Sequence, residues 1–243
     1  MRIGLVSRTD KEEAIQLIKE IAEHLSDYDL YCDKDLFPFL EGNPIEEVDV
    51  LVVVGGDGTI LRTVRKYCFP IVAVKMGQYG HLCELEPDNI YCLRDIVEHH
   101  AIDRRMKLEI PGMGEALNEV VVRAVAPDKV ASFKVEYGDN CDIVNGDGII
   151  VATPTGSTAY SLAAGGPVIE DRCPVFCITP ICASNSVAFP KVISSDHEVT
   201  ITSLDKPCHM TLDGDEPSTL SVGECITVRK SGNYAVFWRK KGT

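Results

Sequence analysis

Asp57 is the one charged residue in a glycine turn. After Val50–Val54, five aliphatic residues in a row, the chain reads Gly55, Gly56, Asp57, Gly58, Thr59. A glycine turn leading from a buried strand into a helix suits phosphate, because glycines let the backbone come close and the helix start offers unpaired N–H groups. It is not a Walker loop, since no Gly-Lys-Ser/Thr follows. Without that lysine, Asp57 repels phosphate unless a cation intervenes or the carboxylate meets a hydroxyl. Both conditions suit phosphoryl transfer to an alcohol, where an aspartate accepts the hydroxyl proton and Mg²⁺ offsets phosphate charge. The competing reading makes Asp57 a cap for the helix beginning near Thr59. Arg62, three residues beyond Thr59 on the same helical face, either reaches a phosphate or sits in solvent.

Two further stretches carry polar groups in unusual places. In EALNEVVVRAV (115–125), Asn118 and Glu119 interrupt an apolar strand. An unpaired carboxylate or amide facing a core is costly, so the pair needs partners. Ribose hydroxyls or a base edge would serve an amide that donates and a carboxylate that accepts; a backbone turn is the alternative. In NGDGIIVATPTGSTAYSLAAGGP (145–167), a strand (Ile149–Ala152), a small-residue turn and a short helix follow one another. Thr155, Ser157, Thr158 and Tyr160 place four hydroxyls within six residues. The surrounding glycines and alanines leave the backbone accessible to a ligand. Asp147, in a Gly-Asp-Gly turn, can take a ribose hydroxyl or an exocyclic amine.

The elements that must position these residues fall into two textures. In the first hundred residues, buried strands at Ile3–Val6, Val50–Val54 and Ile71–Val74 alternate with helices. One helix is capped by Asp10 and carries Ala14, Leu17, Ile18, Ile21, Ala22 and Leu25 on one face; others run over 59–67 and 89–99. Alternation of this kind predicts an α/β domain with a doubly wound parallel sheet over residues 1–100. Beyond it FKVEY (133–137), HEVTITS (197–203) and ECITVRK (224–230) alternate polar and apolar, and YGDN, DGDEP and KSGN read as turns between strands. This predicts a β-rich domain over 101–225. The apolar strand Tyr234–Trp238 lies in the remaining segment, 226–243.

Composition narrows the partners. The chain has 243 residues, 45% hydrophobic and 25% charged, with a net charge of −13. So acidic a chain argues against nucleic-acid binding but leaves room for small anions held by backbone amides. No stretch approaches the ~20 apolar residues that span a bilayer, which predicts no membrane partner and a cytoplasmic location. The ten cysteines are then reduced thiols. Cys173, Cys177 and Cys182 cluster around an apolar strand and read as small buried hydrophobes, with no metal assigned.

The three motifs together resemble the NAD kinase family, in particular its short archaeal-type members. GGDGT, the Asn-Glu pair about 60 residues later and the 145–167 segment carry the resemblance, which spans roughly residues 1–230. GGDGT alone is shared with diacylglycerol and sphingosine kinases and phosphofructokinases; the third motif is specific. The resemblance implies transfer of phosphoryl from ATP or polyphosphate to the 2′-hydroxyl of the adenosine ribose of NAD, giving NADP. It also implies Mg²⁺ or another divalent metal, a homodimer or homotetramer, and a chain end (226–243) returning to the first domain. Asp57 matches the catalytic base. Gly55, Gly56, Gly58, Thr59 and Arg62 match the phosphate and ATP side, and Asp57 and Gly58 also border NAD. Asn118, Glu119 and Asp147 match residues holding NAD; Thr158, Ala159 and Tyr160 match the loop around nicotinamide and ribose, with Thr155, Ser161, Leu162 and Ala163 beside them. Lys129 and Asn145 fall where the family contacts the dinucleotide.

The chain departs from the family pattern at four places. His81 replaces an aromatic in GQYGHL (77–82), Ala163 stands where serine is usual, PICASNSVAFP (180–190) lacks the usual Pro-His and Arg, and Asp215 stands where glutamine is common. These bear on the donor side more than on the NAD side. Two other readings remain: a lipid kinase of the GGDGT group, which would expose an apolar entry, and an NAD(P)-binding sensor of weak activity. The Asn-Glu pair and the third motif oppose the first, and Asp57 opposes the second.

Overall fold

The computed structural model describes residues 1–77, 80–126, 130–184 and 189–242. These form two compact units, one of Met1–Arg104 with Ala235–Thr243 and one of Arg105–Tyr234.

The first unit is α/β. Its elements are β1 (Arg2–Ser7), α1 (Glu12–His24), β2 (Asp29–Cys32), β3 (Asn43–Pro44), β4 (Val50–Gly55), α2 (Asp57–Lys66), β5 (Ile71–Lys75) and α3 (Leu93–Glu98). The strands pair in parallel in the order β5-β4-β1-β2-β3. β4 is buried along its whole length, as an unbroken aliphatic run requires when helices cover both faces of a sheet. The chain steps from β1 to β2 on one side and from β4 to β5 on the other, so the order reverses between β1 and β4. In doubly wound sheets that reversal opens a crevice at the carboxyl ends of the strands, where ligands bind.

Several expectations need correction here. α1 is not capped by Asp10: its N-cap is Lys11, without a side-chain bond, and the Asp10 carboxylate instead pairs with Arg8 at 2.6–2.8 Å. The helix read over 59–67 begins at Asp57 and ends at Lys66. The helix read over 89–99 divides: a 3₁₀ stretch, Pro87–Cys92, is kinked at Asn89, and only Leu93–Glu98 is α-helical. β2 and β3 were not expected, because DLYC and NP carry no periodic pattern.

The second unit is built from strands. β6 (His100–Ile110) leads into it, followed by β7 (Gly114–Ala116), β8 (Glu119–Ala124), β9 (Ala131–Tyr137), β10 (Asn140–Gly146), β11 (Gly148–Ala152), α4 (Tyr160–Ala163), β12 (Val175–Ile181), β13 (Lys191–Ser194), β14 (Val199–Ser203), β15 (Cys208–Leu212), β16 (Ser218–Leu220) and β17 (Cys225–Lys240). One antiparallel sheet runs β13-β12-β11-β8-β15-β16, and β10-β9-β14-β17 line up in another. Alternate residues from both fill one core, including Val120, Val122, Phe133, Val135, Val199 and Val228.

The expected turn at KSGN is absent. β17 continues through it, pairs with β14 in its first half and sets Phe237 beside Ile71 of β5. Ser231 is buried and donates to Glu115 inside this stretch, which holds it as strand. Of the three clustered cysteines only Cys177 is buried; Cys173 is half-buried and Cys182 exposed, so that trio is not a group of core hydrophobes.

Candidate functional site

In the first unit Asp57 stands in the first turn of α2 but does not cap it. Gly56 is the N-cap, with extended backbone and no side-chain bond. The Asp57 carboxylate turns instead to the segment after β5, accepting the His81 N–H at 3.2 Å and the Leu82 N–H at 3.0 Å, one on each oxygen. Two amides orient it, while each carboxylate oxygen keeps a lone pair for a further proton. That segment is itself braced: Arg239 donates to Leu82 O at 2.9 Å and pairs with Glu84 and Asp103. Cys83 donates to Gly55 O at 3.5 Å. Burial, and then the charge of Asp57, push its thiol up to about 12, so the carboxylate's sulfur neighbour is neutral.

The glycines of the turn divide by task. A Cβ on Gly55 would stand 2.5 Å from the Thr59 hydroxyl, so glycine is required there by packing. A Cβ on Gly58 would meet nothing within 4 Å. The protein's own packing therefore does not require glycine at 58, and the open space beside the helix start suits an incoming group.

A cavity of about 460 Å³ lies at the carboxyl ends of β1 and β2 and along α2, lined by Ser7, Arg8, Thr59, Arg62, Lys66 and Asp33 among others. Arg62 and Thr59 were expected on a phosphate side, and both face this space. Arg8, Asp33, Lys66 and Tyr67 were missed. Asp33 is 4% exposed and accepts from Lys66 Nζ (2.7 Å), Tyr67 OH (2.8 Å) and the Asp35 N–H (3.0 Å). Burial alone would raise its carboxyl, but these donors outweigh it and hold the pKa below the usual range. Asp33 directly after β2 was the available signal, and without β2 it had no context.

In the second unit the break between β7 and β8 places Asn118 outside any ladder, while Glu119 opens β8. Glu119 is 8% exposed and one of its carboxyl oxygens, Oε2, is buried with no hydrogen-bond partner. Burial, then the nearby charge of Asp213, raise its pKa to about 8, against which the Tyr160 N–H pulls downward. An orphaned carboxyl oxygen calls for a donor, and a ribose hydroxyl is one.

The 145–167 segment is more structural than its composition suggested. Thr155–Thr158 form a 3₁₀ turn and Tyr160–Ala163 the short α4. Two of its glycines serve close packing rather than ligand access: a Cβ on Gly156 would lie 2.0 Å from Asn118 O, and one on Gly148 2.4 Å from Val122 O. Asp147 does not sit in a free turn; its N–H donates to Ile181 O and its C=O accepts from Ala124, so its backbone belongs to the sheet while its side chain is half-buried. Ser157 and Ser161 are fully buried, bonded to Pro154 O and to Thr179 Oγ1. The Ser161 side chain therefore faces inward, away from the surface expected for it. Thr155 is nearly buried and accepts from Arg105 at 3.4 Å, with Arg105 held by Asp171 at 2.5 Å. Thr158, Leu162 and Ala163 are exposed, and Ala159 and Tyr160 half-exposed, so this edge of the loop is the one open to a ligand. Asn145 accepts through its carbonyl from Ser184 at 2.8 Å, and Lys129 lies outside the described residues.

An oriented carboxylate on a glycine turn and a carboxyl-amide pair beside a hydroxyl-bearing loop define a phosphotransferase with an alcohol acceptor. Residues 33–102 match the ATP-NAD kinase N-terminal domain and residues 117–240 the ATP-NAD kinase C-terminal domain. The chain belongs to the NAD kinase family. The NAD kinase of Thermococcus gammatolerans is 38% identical, with 98% of this chain and 94% of that one covered, and the NAD kinase of Pyrococcus furiosus is 37% identical with the same coverage. The bifunctional NADP phosphatase/NAD kinase of Methanocaldococcus jannaschii is 37% identical over 98% of this chain, which spans 45% of that longer protein. An NAD kinase from Archaeoglobus fulgidus in complex with ATP superposes with a TM-score of 0.84 at 30% identity, covering 99% of this chain and 94% of that one. Yeast NADH kinase complexed with NADH has the same fold, with a TM-score of 0.88 at 20% identity over 99% of this chain and 84% of that one.

Proposed function

We propose that the protein transfers the terminal phosphoryl group of ATP to the 2′-hydroxyl of the adenosine ribose of NAD, giving NADP, with Asp57 as general base. The observation that carries this reading is the Asp57 carboxylate, bonded to the amides of His81 and Leu82 instead of capping its own helix. Asn118, the orphaned oxygen of Glu119, Asp147 and the open edge Thr158–Tyr160 hold the acceptor. Gly58, Thr59 and Arg62 face the donor phosphates, and the cavity that Arg62 lines takes the rest of the nucleotide. Asp57 takes the proton of the attacking hydroxyl as its oxygen bonds to phosphorus and the bond to the leaving diphosphate breaks.

Mg²⁺ fits as a passenger of the nucleotide. Among the described residues no three His, Cys, Asp or Glu side chains gather as a metal cage. Mg²⁺ binds through one or two carboxylates plus substrate phosphates, and there it neutralises phosphate charge. A polyphosphate donor would need only the cationic rim, Arg8, Arg62 and Lys66, and not the rest of the cavity.

The same reading takes the working form to be a cytoplasmic homodimer or homotetramer. Exposed Phe189 and Val192 on the second unit are apolar surface that association would cover. Among the described residues no helix is long and apolar enough to cross a membrane.

Asp57→Asn tests the assignment. Turnover is expected to fall by about 10²–10⁴, with NAD binding and melting temperature near wild type. Near-normal turnover would remove Asp57 from the chemistry.

A further inference from the structure

We propose that Asp213 is a positioning residue for the acceptor: its carboxylate clamps the backbone of residues 117–119 and so sets how Asn118 and Glu119 face their ligand. The proposal rests on the reading that this pair binds NAD. Asp213 follows the last residue of β15. Its Oδ2 accepts the Leu117 N–H at 2.7 Å, and its Oδ1 accepts the N–H groups of Asn118 at 2.7 Å and Glu119 at 3.0 Å. Its own N–H returns to Glu119 O at 3.0 Å. Three consecutive amides converging on one carboxylate form an anion-binding concavity, here filled by the protein's own side chain from almost a hundred residues away.

This clamp is needed because no sheet holds Asn118. The pairing of β15 with β8 ends at Leu212 and Val120, that of β11 reaches Glu119 and no further, and Asn118 lies in the break between β7 and β8. The pleat therefore does not set its direction. Asp213 grips the backbone from one side. From the other, Thr153 N–H donates to Asn118 O at 2.9 Å and Thr153 Oγ1 donates to Leu117 O at 2.6 Å, while Gly156 packs directly on Asn118. Asp213 adopts φ +51°, a left-handed conformation that most side chains avoid and aspartate tolerates. A surface loop gains nothing from that strain; a carboxylate aimed back at three amides does.

The test uses the full chain with Asp213→Asn, Asp213→Ser, Glu119→Gln and the double variant Asp213→Asn/Glu119→Gln. KM for NAD, KM for ATP and melting temperature are measured for each. Asp213→Asn is expected to raise the NAD KM about tenfold or more, since it replaces charge-assisted bonds with neutral ones and turns a donor toward an amide. The ATP KM stays near wild type. The double variant is expected to lose little more than the worse single variant, as residues acting through one another do. Asp213→Ser keeps one acceptor and is expected to follow Asp213→Asn, which guards against a variant that does not fold. A lowered melting temperature with an unchanged NAD KM, or additive losses in the double variant, overturns the positioning role. If Glu119→Gln impairs NAD but neither Asp213 variant does, Asp213 alone is misassigned. If Glu119→Gln leaves the NAD KM unchanged, the acceptor reading itself fails and this proposal with it.

Discussion

Glu119→Gln separates folding from binding through pH. In the folded protein burial, and then Asp213, raise the Glu119 carboxyl to about 8, from an ordinary value of 4.5. The folded state therefore keeps a proton that the unfolded chain releases near pH 4.5. The stability contributed by the neutral carboxyl is fully present below about pH 4.5, declines as pH rises, and is gone above about pH 8. At 1.36 kcal/mol per unit, the decline amounts to at most about 5 kcal/mol. Glutamine has no proton to lose, so the variant lacks this decline. Urea unfolding of wild type and Glu119→Gln, each without NAD, at intervals from pH 5 to 9 gives the difference in stability directly; every other titrating group is common to both and cancels. The variant is expected to gain on wild type steadily up to about pH 8 and to level off above it. It binds NAD more weakly than wild type, most of all above about pH 8, where the wild-type carboxylate is ionised and offers the ribose hydroxyl a charge-assisted bond worth about 1.5–3 kcal/mol. A difference curve that is flat from pH 5 to 9 would refute the account, because Glu119 would then be an ordinary solvated carboxylate.

Other outcomes follow from the GGDGT turn. Gly55→Ala forces a methyl against Thr59 and is expected to lower the melting temperature, whereas Gly58→Ala has room, melts near wild type and loses ATP affinity; equal melting losses in the two variants would contradict this division. Iodoacetamide at pH 8 is expected to label the exposed Cys68, Cys141 and Cys225 in the folded protein and to spare Cys83, whose thiol is held up near 12. Rapid modification of Cys83, read by peptide mass spectrometry, would contradict a thiol held neutral beside Asp57.

How far the site could be read from the residues depended on the length scale of each signal. Five aliphatic residues followed by GGDGT define strand, turn and helix locally, so β4, the turn and α2 were legible. The alternating strands of the second unit were legible by the same local rule. Asp10 was misread because a cap and an ion pair with Arg8 look alike in one dimension. KSGN was misread because Ser231 and Asn233 find partners in Glu115, 116 and 118 residues away. The glycines of the third motif were credited to a ligand, while Gly146, Gly148 and Gly156 answer a backbone that passes close from elsewhere in the chain. Asp213 gave no warning, since its three amide partners lie on a segment more than ninety residues earlier.

In the proposed reaction phosphate goes to one hydroxyl of NAD. The most direct measurement offers the protein, with ATP and Mg²⁺, either NAD or its analogue lacking the adenosine 2′-hydroxyl, and follows phosphate incorporation by ³¹P NMR and binding by calorimetry. The expected result is NADP from NAD, and an analogue that binds but takes no phosphate. Phosphorylation of the analogue, or no NADP from NAD, would contradict it.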